Sequence, residues 1–305
     1  MAEWPQDLPK VNLFLIGGHK CGTTTLATFL ANQPDICWSA VKECWFFCQD
    51  DLGDRFSARK PMDWYAQQFK DYAQEKYLAD GSVSYLYSDS AIKHITEYNP
   101  DAKFIVILRN PVYACMSMHK QMLHNRQEDE WDFATAWRLQ KQRKEGVCLP
   151  AKCINPKFLF YRDWCLWGKQ TKRLLSVVDK KQVLFLFFDD LITNPPAIEK
   201  KLANFLHIPI HPGLSLIHEN KKGMPAKWIV KADNMLASIQ GNKPKTKIYR
   251  VLRFLRKHLA FPSSSSRIVA SDKIRKYLKN EFNEDIRMLY AITKEDTVLQ
   301  WLNNE

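Results

Sequence analysis

A glycine-rich stretch between two regular patterns, residues 17–26, constrains the fold more than any other part of this sequence. The apolar run VNLFLI, residues 11–16, predicts a buried β-strand, and TTLATFLAN, residues 24–32, predicts a helix. The intervening GGHKCGTTTL supplies the glycines of a tight turn. A strand, a turn and a helix N-terminus direct unpaired backbone N–H groups and the positive end of the helix dipole at one point. We therefore predict an α/β fold with a phosphate-binding loop after its first strand.

The position of the lysine distinguishes this loop from an ATP-binding one. A Walker A loop, GxxxxGK[ST], has its lysine directly after the second glycine, whereas here Thr23 follows Gly22 and Lys20 lies inside the loop. The ligand we expect is rich in phosphate but is not ATP with magnesium. The candidate ligand-binding residues of the loop are Lys20, Cys21, Gly22, Thr23, Thr24 and Thr25.

Strand-like runs alternate with helical patterns, which predicts a mainly parallel central sheet with helices on both faces. The strands are expected at 11–16, 36–38, 77–80, 103–108 and 183–188. The helices are expected at 24–32, 88–98, 112–124, 131–144, 157–178, 195–206 and 272–291. We expect a single domain over residues 1–305, with a basic loop or helix inserted at about 221–267.

The charge of the chain predicts an anionic ligand or surface. The formal net charge is +12, from 45 Lys and Arg against 33 Asp and Glu, and it attracts nucleotides, sulfated or phosphorylated substrates, nucleic acid and acidic membranes alike. The basic stretch 243–257 is interpreted either as an amphipathic helix on a membrane surface or an anionic ligand, or as a solvated helix packed on the domain. We expect no nucleic-acid partner, because its few aromatic residues form no stacking platform.

The sequence also bears on location and on metal binding. No apolar run is long enough to span a membrane, and the first ten residues, MAEWPQDLPK, lack a signal-peptide pattern, so we expect a soluble, cytoplasmic protein unless an anchor was removed. The eight cysteines all lie in the first 165 residues, without regular spacing, as is typical of reduced thiols. The alternative to free thiols is a metal site or a disulfide bridge, formed by Cys44 with Cys48 or by Cys148 with Cys153. Neither pair has a second pair of cysteines at the spacing of a zinc site. We expect no metal.

Two further segments have residues suited to chemistry on anions. Arg109 follows the predicted strand 103–108 at its carboxyl end, where open α/β sheets bind ligands, and Ser117 lies eight residues on, two turns into the next helix. Glu43, next to Lys42, precedes aromatic residues, and a carboxylate that loses solvation beside apolar rings gains the basicity of a general base. Taken singly, Arg109 also suits a salt bridge, and the Lys-Glu pair also suits a protein surface.

Together these motifs resemble the sulfotransferase family that uses 3′-phosphoadenosine 5′-phosphosulfate (PAPS), and its carbohydrate, heparan-sulfate-like branch in particular. The resemblance covers almost the full length of the chain. GGHKCGTTTL is similar to the loop that holds the 5′-phosphosulfate, and RNPVYACMS is similar to the 3′-phosphate motif, which implies that Arg109 and Ser117 bind that phosphate. KECWFF is similar to the K-E-x-x-F-F segment, which implies that Glu43 is the base. The family resemblance implies a three-layer, P-loop-like fold.

Three other segments resemble the family less closely. DGSVSYLYS, residues 80–88, is similar to E-K-S-P-x-Y-F, but Gly81 replaces the lysine and Val83 the proline, which weakens the implication of a heparan substrate. HENKKG resembles the basic loop that closes over the nucleotide, which implies roles for Lys222 and Gly223. The stretch 183–208 is like the strand and helix of the family, and it also mimics a Walker B strand ending in Asp189.

The resemblance implies in-line transfer of a sulfuryl group from PAPS to a hydroxyl or an amine, with adenosine 3′,5′-bisphosphate as the product. We expect Lys20 to stabilise the leaving group and Glu43 to accept the proton, and we rank His19, His119 and His218 behind Glu43 as bases. The expected acceptor is a glycan or a small molecule. The aromatic-rich segments 45–47, 64–65, 131–137 and 161–167 either line its cleft or belong to the core. Two other function classes stay open: a P-loop kinase or nucleotide hydrolase, and a non-catalytic polyanion-binding module.

Overall fold

A parallel sheet of five short strands lies at the centre of the fold. The structure is a computed structural model that describes residues 4–52, 60–214 and 272–303. The strands are β1 (Leu13–Gly17), β2 (Ile36–Trp38), β3 (Tyr77–Gly81), β4 (Lys103–Leu108) and β5 (Val183–Phe187), in the order β2-β3-β1-β4-β5. Every pairing is parallel, which confirms the predicted α/β fold.

Thirteen α-helices occur in the described ranges, many of them short. They are α1 (Thr23–Ala31), α2 (Gln49–Leu52), α3 (Met62–Ala66), α4 (Ser84–Tyr87), α5 (Ala91–Tyr98), α6 (Pro111–His124), α7 (Phe133–Lys144), α8 (Tyr161–Trp164), α9 (Trp167–Leu175), α10 (Phe188–Thr193), α11 (Pro195–Leu206), α12 (Asp272–Thr293) and α13 (Asp296–Asn303). Single 3₁₀ turns lie at Phe46–Cys48, Gln67–Phe69, Pro156–Leu159 and Lys180–Gln182.

Both faces of the sheet are covered. Side chains alternate between the faces of a strand, so Leu13 and Leu15 of β1 lie on one face, in an apolar cluster with α1 and α11. Phe14 lies on the other face, where its ring contacts those of Phe47 and Tyr85. Burial on both faces explains why these strands are continuously apolar in sequence.

The chain divides into two compact units. The first comprises residues 1–114, 164–217 and 281–305 and contains the whole sheet, and the second comprises residues 115–163 and 218–280. Within the second unit, the guanidinium of Arg143 donates to both carboxylate oxygens of Glu128, each at 2.6 Å. The hydroxyl of Tyr161 donates to the same carboxylate at 2.7 Å. Because this ion pair is almost fully buried, loss of either partner would leave an uncompensated charge. The single-domain expectation stays a prediction.

The predicted helix 157–178 is wrong. The chain instead forms a 3₁₀ turn and the two short helices α8 and α9, interrupted at Phe160 and Leu166, whose backbones leave the helical region. At the start of α9 the backbone N–H groups of Gly168 and Lys169 donate to the carboxylate of Asp285 at 2.8 and 2.9 Å, and Trp164 and Trp167 are both buried. Tertiary packing therefore outweighs helical propensity here.

The predicted helix 88–98 begins three residues late. Ser88 is extended, and its hydroxyl accepts from the backbone N–H of Ala91 at 2.8 Å. A serine hydroxyl suits this place before the first turn, because it accepts from N–H groups that have no partner in the helix.

All eight cysteines are free thiols, and seven of them are buried. Within the described ranges no group of three or more His, Cys, Asp or Glu is arranged to hold a metal ion. No helix in the same ranges is both long enough and apolar enough to cross a membrane. The basic segment 221–267, including 243–257, Lys222 and Gly223, lies outside the described residues.

Candidate active site

The loop after β1 has the geometry of an anion cradle. Gly17 (φ 143°) ends the strand, and a Cβ there would lie 2.2 Å from the carbonyl oxygen of Ile107, so only glycine fits. The backbone N–H of Gly18 donates to that same carbonyl at 3.1 Å. Gly22 (φ 88°) is the N-cap of α1. Because the first N–H groups of a helix have no intrahelical acceptor, the start of α1 presents donors to an anion.

The side chains of the loop differ in their access to solvent. Cys21 is fully buried, its Sγ lies 3.5 Å from the carbonyl oxygen of His19, and burial raises the pKa of its thiol to about 12. Thr23 and Thr25 are also buried, whereas Thr24 is exposed. Thr24 is therefore the one of the three threonines with a solvent-accessible side chain.

Arg109 lies directly against the loop. Its Nη1 donates to the carbonyl oxygen of Lys20 at 3.3 Å, and its guanidinium carbon lies 4.4 Å from the centre of the Phe188 ring. Burial, and then the charge of Arg109, lower the pKa of Lys20 below its usual value. Two cations, one on the loop and one at the end of β4, thus lie close enough to repel each other, and an anion between them would relieve that repulsion.

Glu43 is held at the carboxyl end of β3, next to β1. Its backbone N–H donates to the carbonyl oxygen of Gly81 at 3.0 Å. Its Oε2 accepts from the backbone N–H of Val83 at 3.0 Å and from Nε1 of Trp45 at 3.1 Å, and its Oε1 accepts from Nζ of Lys42 at 2.5 Å. Three donors on one carboxylate fix its orientation.

Electrostatics connects Glu43 with the loop. Burial, followed by the charges of Lys42 and Lys20, lowers the pKa of His19 to about 3. His19 is therefore neutral at physiological pH, and its ring contacts the edge of Trp164 at a centroid distance of 4.6 Å. Because Lys42 acts on a loop residue, the Lys42–Glu43 pair lies within electrostatic range of the cradle.

Three further residues were predicted from the sequence for the site, Ser117, His119 and His218. Ser117 is half-buried on α6 and belongs to the second unit. His119 is fully buried in that unit, where its Nε2 lies 2.8 Å from the carbonyl oxygen of Glu130, so it is a core residue. His218 lies outside the described residues.

Two aromatic residues contact the cradle in a way that was not predicted from the sequence. A Cβ on Gly22 would lie 2.8 Å from the Phe188 ring, so this ring contacts both Gly22 and Arg109. The indole Nε1 of Trp167 donates to the carbonyl oxygen of Arg109 at 2.8 Å, and its ring packs on Gly18. Phe188 was placed in a strand and Trp167 in a long helix, so neither was associated with the loop.

The Walker B interpretation of Asp189 has little support. β5 ends at Phe187, and Asp189 lies in the first turn of α10. Its carboxylate accepts from Nε1 of Trp301 at 2.9 Å, and the neighbouring Asp190 accepts from the hydroxyl of Thr297 at 2.7 Å. Both carboxylates therefore hold the C-terminal helix α13.

The aromatic-rich segments are mostly core. Tyr161, Trp164 and Trp167 are buried. Next to Glu43, by contrast, Trp45 and Phe46 are half-buried, and Phe46 stacks on Tyr65 with ring centres 4.4 Å apart. Of the predicted segments, residues 45–47 are thus the ones beside the candidate base.

Fold and site together define a class of protein: a parallel α/β domain with a glycine-rich anion cradle, flanking cations and a fixed carboxylate at the carboxyl edge of its sheet. Residues 10–290 match the model of the sulfotransferase domain family, so this chain belongs to that family. The match confirms the predicted membership.

The relatives include enzymes named for heparan sulfate. Bifunctional heparan sulfate N-deacetylase/N-sulfotransferase 1 of Caenorhabditis elegans is 25% identical over 242 residues, which are 76% of this chain and 26% of that protein. Heparan sulfate glucosamine 3-O-sulfotransferase 5 of Mus musculus is 24% identical over 205 residues, which are 67% of this chain and 55% of that protein. The chain thus spans between about a quarter and about half of these relatives. Similarity to the carbohydrate branch is confirmed, at low identity.

Among solved structures, a sulfotransferase from Alicyclobacillus acidocaldarius superposes with a TM-score of 0.61 at 24% sequence identity. The match covers 80% of this chain and 100% of that one. The two proteins share a fold.

Proposed function

We propose that this protein transfers a sulfuryl group from PAPS to a hydroxyl or an amine of an acceptor. The observation that supports this most is the convergence of Lys20, Arg109 and the Lys42–Glu43 pair on a glycine-rich cradle in a sulfotransferase domain. An enzyme of this kind needs positive charge where the leaving group develops negative charge, and a base on the side of the acceptor.

The donor side is assigned to the cradle. PAPS, when bound, supplies a sulfuryl group whose bond to the phosphate breaks as adenosine 3′,5′-bisphosphate leaves. The backbone N–H groups of residues 21–25 would hold the 5′-phosphate, and the ammonium of Lys20 would stabilise the oxygen of the breaking bond. Arg109 and Ser117 are proposed for the 3′-phosphate, and Lys222 and Gly223 for the loop that closes over the nucleotide. No metal is required in this proposal, because lysine, arginine and amides supply the charge that magnesium supplies in phosphoryl transfer.

The acceptor side is assigned to Glu43. A carboxylate has about four lone-pair sites, and three donors use sites on this one, which leaves room on Oε1 beside Lys42. At that position Glu43 would accept the proton of the acceptor hydroxyl or amine as the acceptor atom bonds to sulfur. His19 is a weaker candidate, since a pKa of about 3 gives it little affinity for a proton at neutral pH.

The acceptor class is proposed to be a glycan or a small molecule. The relatives named for heparan sulfate favour a glycan, but Gly81 and Val83 depart from the segment of the heparan-type enzymes. A cytoplasmic location and membrane contact through residues 243–257 stay predictions. A kinase or nucleotide hydrolase is disfavoured by Thr23 in the Walker A lysine position and by the engagement of Asp189 with Trp301.

The test compares the wild-type chain with Lys20→Ala, using labelled PAPS and a panel of hydroxylated glycans and small molecules. Loss of a preorganised donor costs on the order of a hundred-fold in rate or more, so Lys20→Ala should nearly abolish transfer. Lys180→Ala is the matched control, because Lys180 is exposed and donates to the carbonyl oxygen of Ile292. Retained turnover in Lys20→Ala would contradict the assignment of Lys20.

A binding measurement tests the donor independently of the acceptor. Adenosine 3′,5′-bisphosphate at a hundred times its Kd should stabilise the folded protein by about 2.7 kcal/mol, and ATP with magnesium should stabilise it less. Greater stabilisation by ATP with magnesium would favour the nucleotide-hydrolase alternative. Transfer should also persist in the presence of a chelator.

A further inference from the structure

A buried carboxylate lies beneath the candidate base, outside the phosphate cradle. Asp80, in β3, is fully buried, and its carboxylate accepts from three hydroxyls. The hydroxyl of Ser82 donates to Oδ1 at 2.9 Å, and those of Tyr85 and Tyr65 donate to Oδ2 at 2.7 and 3.1 Å. Among the described residues no basic side chain forms an ion pair with Asp80. Burying a charge that only hydroxyls balance costs free energy of folding. The presence of Asp80 at this position therefore calls for an explanation other than stability.

Two of these hydroxyls also bind the loop that bears Glu43. The hydroxyl oxygen of Ser82 accepts from the backbone N–H of Trp45 at 3.2 Å, and that of Tyr85 accepts from the N–H of Phe46 at 3.0 Å. A hydroxyl that donates its hydrogen to a carboxylate turns its lone pairs towards other donors. Asp80 thereby orients both hydroxyls as acceptors for the backbone of this loop.

The loop needs such support. Glu43 (φ 66°) and Trp45 (φ 52°) both have left-handed backbones, which residues with side chains adopt where surrounding contacts hold them. The indole of Trp45 in turn donates to the carboxylate of Glu43. A continuous chain of hydrogen bonds therefore joins Asp80, through Ser82 and Trp45, to Glu43.

We infer that Asp80 is a positioning residue, which fixes the orientation of the Glu43 carboxylate through Ser82, Tyr85 and the backbone of residues 45–46. The inference rests on the proposed function, in which Glu43 is the base. It goes beyond that function because Asp80 itself touches neither donor nor acceptor.

The experiment uses Asp80→Asn and Tyr85→Phe in the full chain. Asparagine keeps the shape of aspartate but replaces one acceptor oxygen by a donor, so one hydroxyl has to turn away. Tyr85→Phe removes the acceptor for the N–H of Phe46. Tyr98→Phe is the matched control, since it keeps the ring that contacts Phe47, and the hydroxyl that it removes accepts from the N–H of Val11, two residues before β1.

Three quantities are measured for each variant. One is kcat for release of adenosine 3′,5′-bisphosphate from PAPS, with and without heparan sulfate as the acceptor probe. The second is the Kd of adenosine 3′,5′-bisphosphate. The third is the indole N–H resonance of Trp45 in a ¹⁵N spectrum, assigned with Trp45→Phe, which reports the bond to Glu43 without any turnover.

For Asp80→Asn we expect kcat to fall at least ten-fold, Kd to change less than two-fold and the Trp45 resonance to shift or broaden. Tyr85→Phe should show the same pattern more weakly, and Tyr98→Phe should show neither change. Wild-type kcat and an unchanged Trp45 resonance in Asp80→Asn would overturn the inference. So would equal losses of kcat and of nucleotide affinity, because these would indicate a general loss of structure.

Failure of the proposed function is distinguishable from failure of the inference. If the wild-type chain releases no adenosine 3′,5′-bisphosphate, the function fails, and the Trp45 resonance alone decides whether Asp80 positions Glu43. If Asp80→Asn does not fold, Tyr85→Phe decides the same question: an unchanged Trp45 resonance there overturns the role.

Discussion

The burial of Asp80 predicts a specific pH dependence of stability. Burial raises the pKa of this carboxyl from 3.8 to about 6, despite the three hydroxyls that stabilise its ionised form. The folded protein therefore holds the Asp80 proton more tightly than the unfolded chain does. Its contribution to stability is fully present below pH 3.8 and is lost as the pH rises towards 6.

The magnitude follows from the size of that change. A difference of about 2 between the pKa of Asp80 in the folded and unfolded states corresponds to about 3 kcal/mol in the free energy of unfolding. About 2 kcal/mol of this contribution is lost between pH 4.5 and 7.5. Asp80→Asn has no such proton. The free energy of unfolding of this variant, minus that of the wild type, should thus rise by about 2 kcal/mol over this range.

The difference between the two proteins is the informative quantity. His19 contributes in the opposite direction, because its lowered pKa makes the folded protein more stable as the pH rises towards 6.5. Since His19 is present in both proteins, its contribution cancels in the difference. Urea unfolding at several pH values, followed by tryptophan fluorescence, measures this difference. A difference that stays constant within about 0.5 kcal/mol would refute the raised pKa of Asp80.

Two further predictions concern the cradle and the base. Gly17→Ala should lower the free energy of unfolding by about 3 kcal/mol or more in urea denaturation, because its Cβ would collide with the carbonyl of Ile107. The control is Gly146→Ala, also at positive φ but with no atom within 4 Å of the added Cβ, which should lower it by about 1 kcal/mol. Equal effects of the two substitutions would contradict the steric argument. Glu43→Gln should lower kcat on the order of a hundred-fold and alter the pH–rate profile. His19→Ala should keep the pH–rate profile of the wild type. If His19→Ala altered the profile and Glu43→Gln kept it, His19 would be the base.

The sheet was predictable because buried parallel strands are continuously apolar. The runs at 36–38 and 103–108 match β2 and β4, and the other three strands differ from expectation by one or two residues at their ends. The break in residues 157–178 was not predictable, because the first turn of α9 is held by a residue distant in sequence, Asp285, whose carboxylate accepts from the N–H groups of Gly168 and Lys169.

The candidate site was predictable to a similar extent. The motifs identified Lys20, Glu43 and Arg109, because glycine spacing and strand ends are local signals. Phe188 and Asp80 were missed as site residues because each acts through contacts that join separate segments. Asp80 begins the segment 80–88 that resembles a family motif, but the motif does not show that three hydroxyls donate to its carboxylate.

The first turn of α10 links the cradle to the end of the described chain. Phe188 contacts both Gly22 and Arg109, and the next residue, Asp189, accepts a hydrogen bond from Trp301. The Trp301 ring also contacts Phe187 at a centroid distance of 5.6 Å. Fraying of α13 would therefore remove a hydrogen bond and a ring contact from the segment that packs on Gly22. We therefore expect an anion that orders the proposed loop to slow hydrogen exchange in α13, at the far end of the described chain.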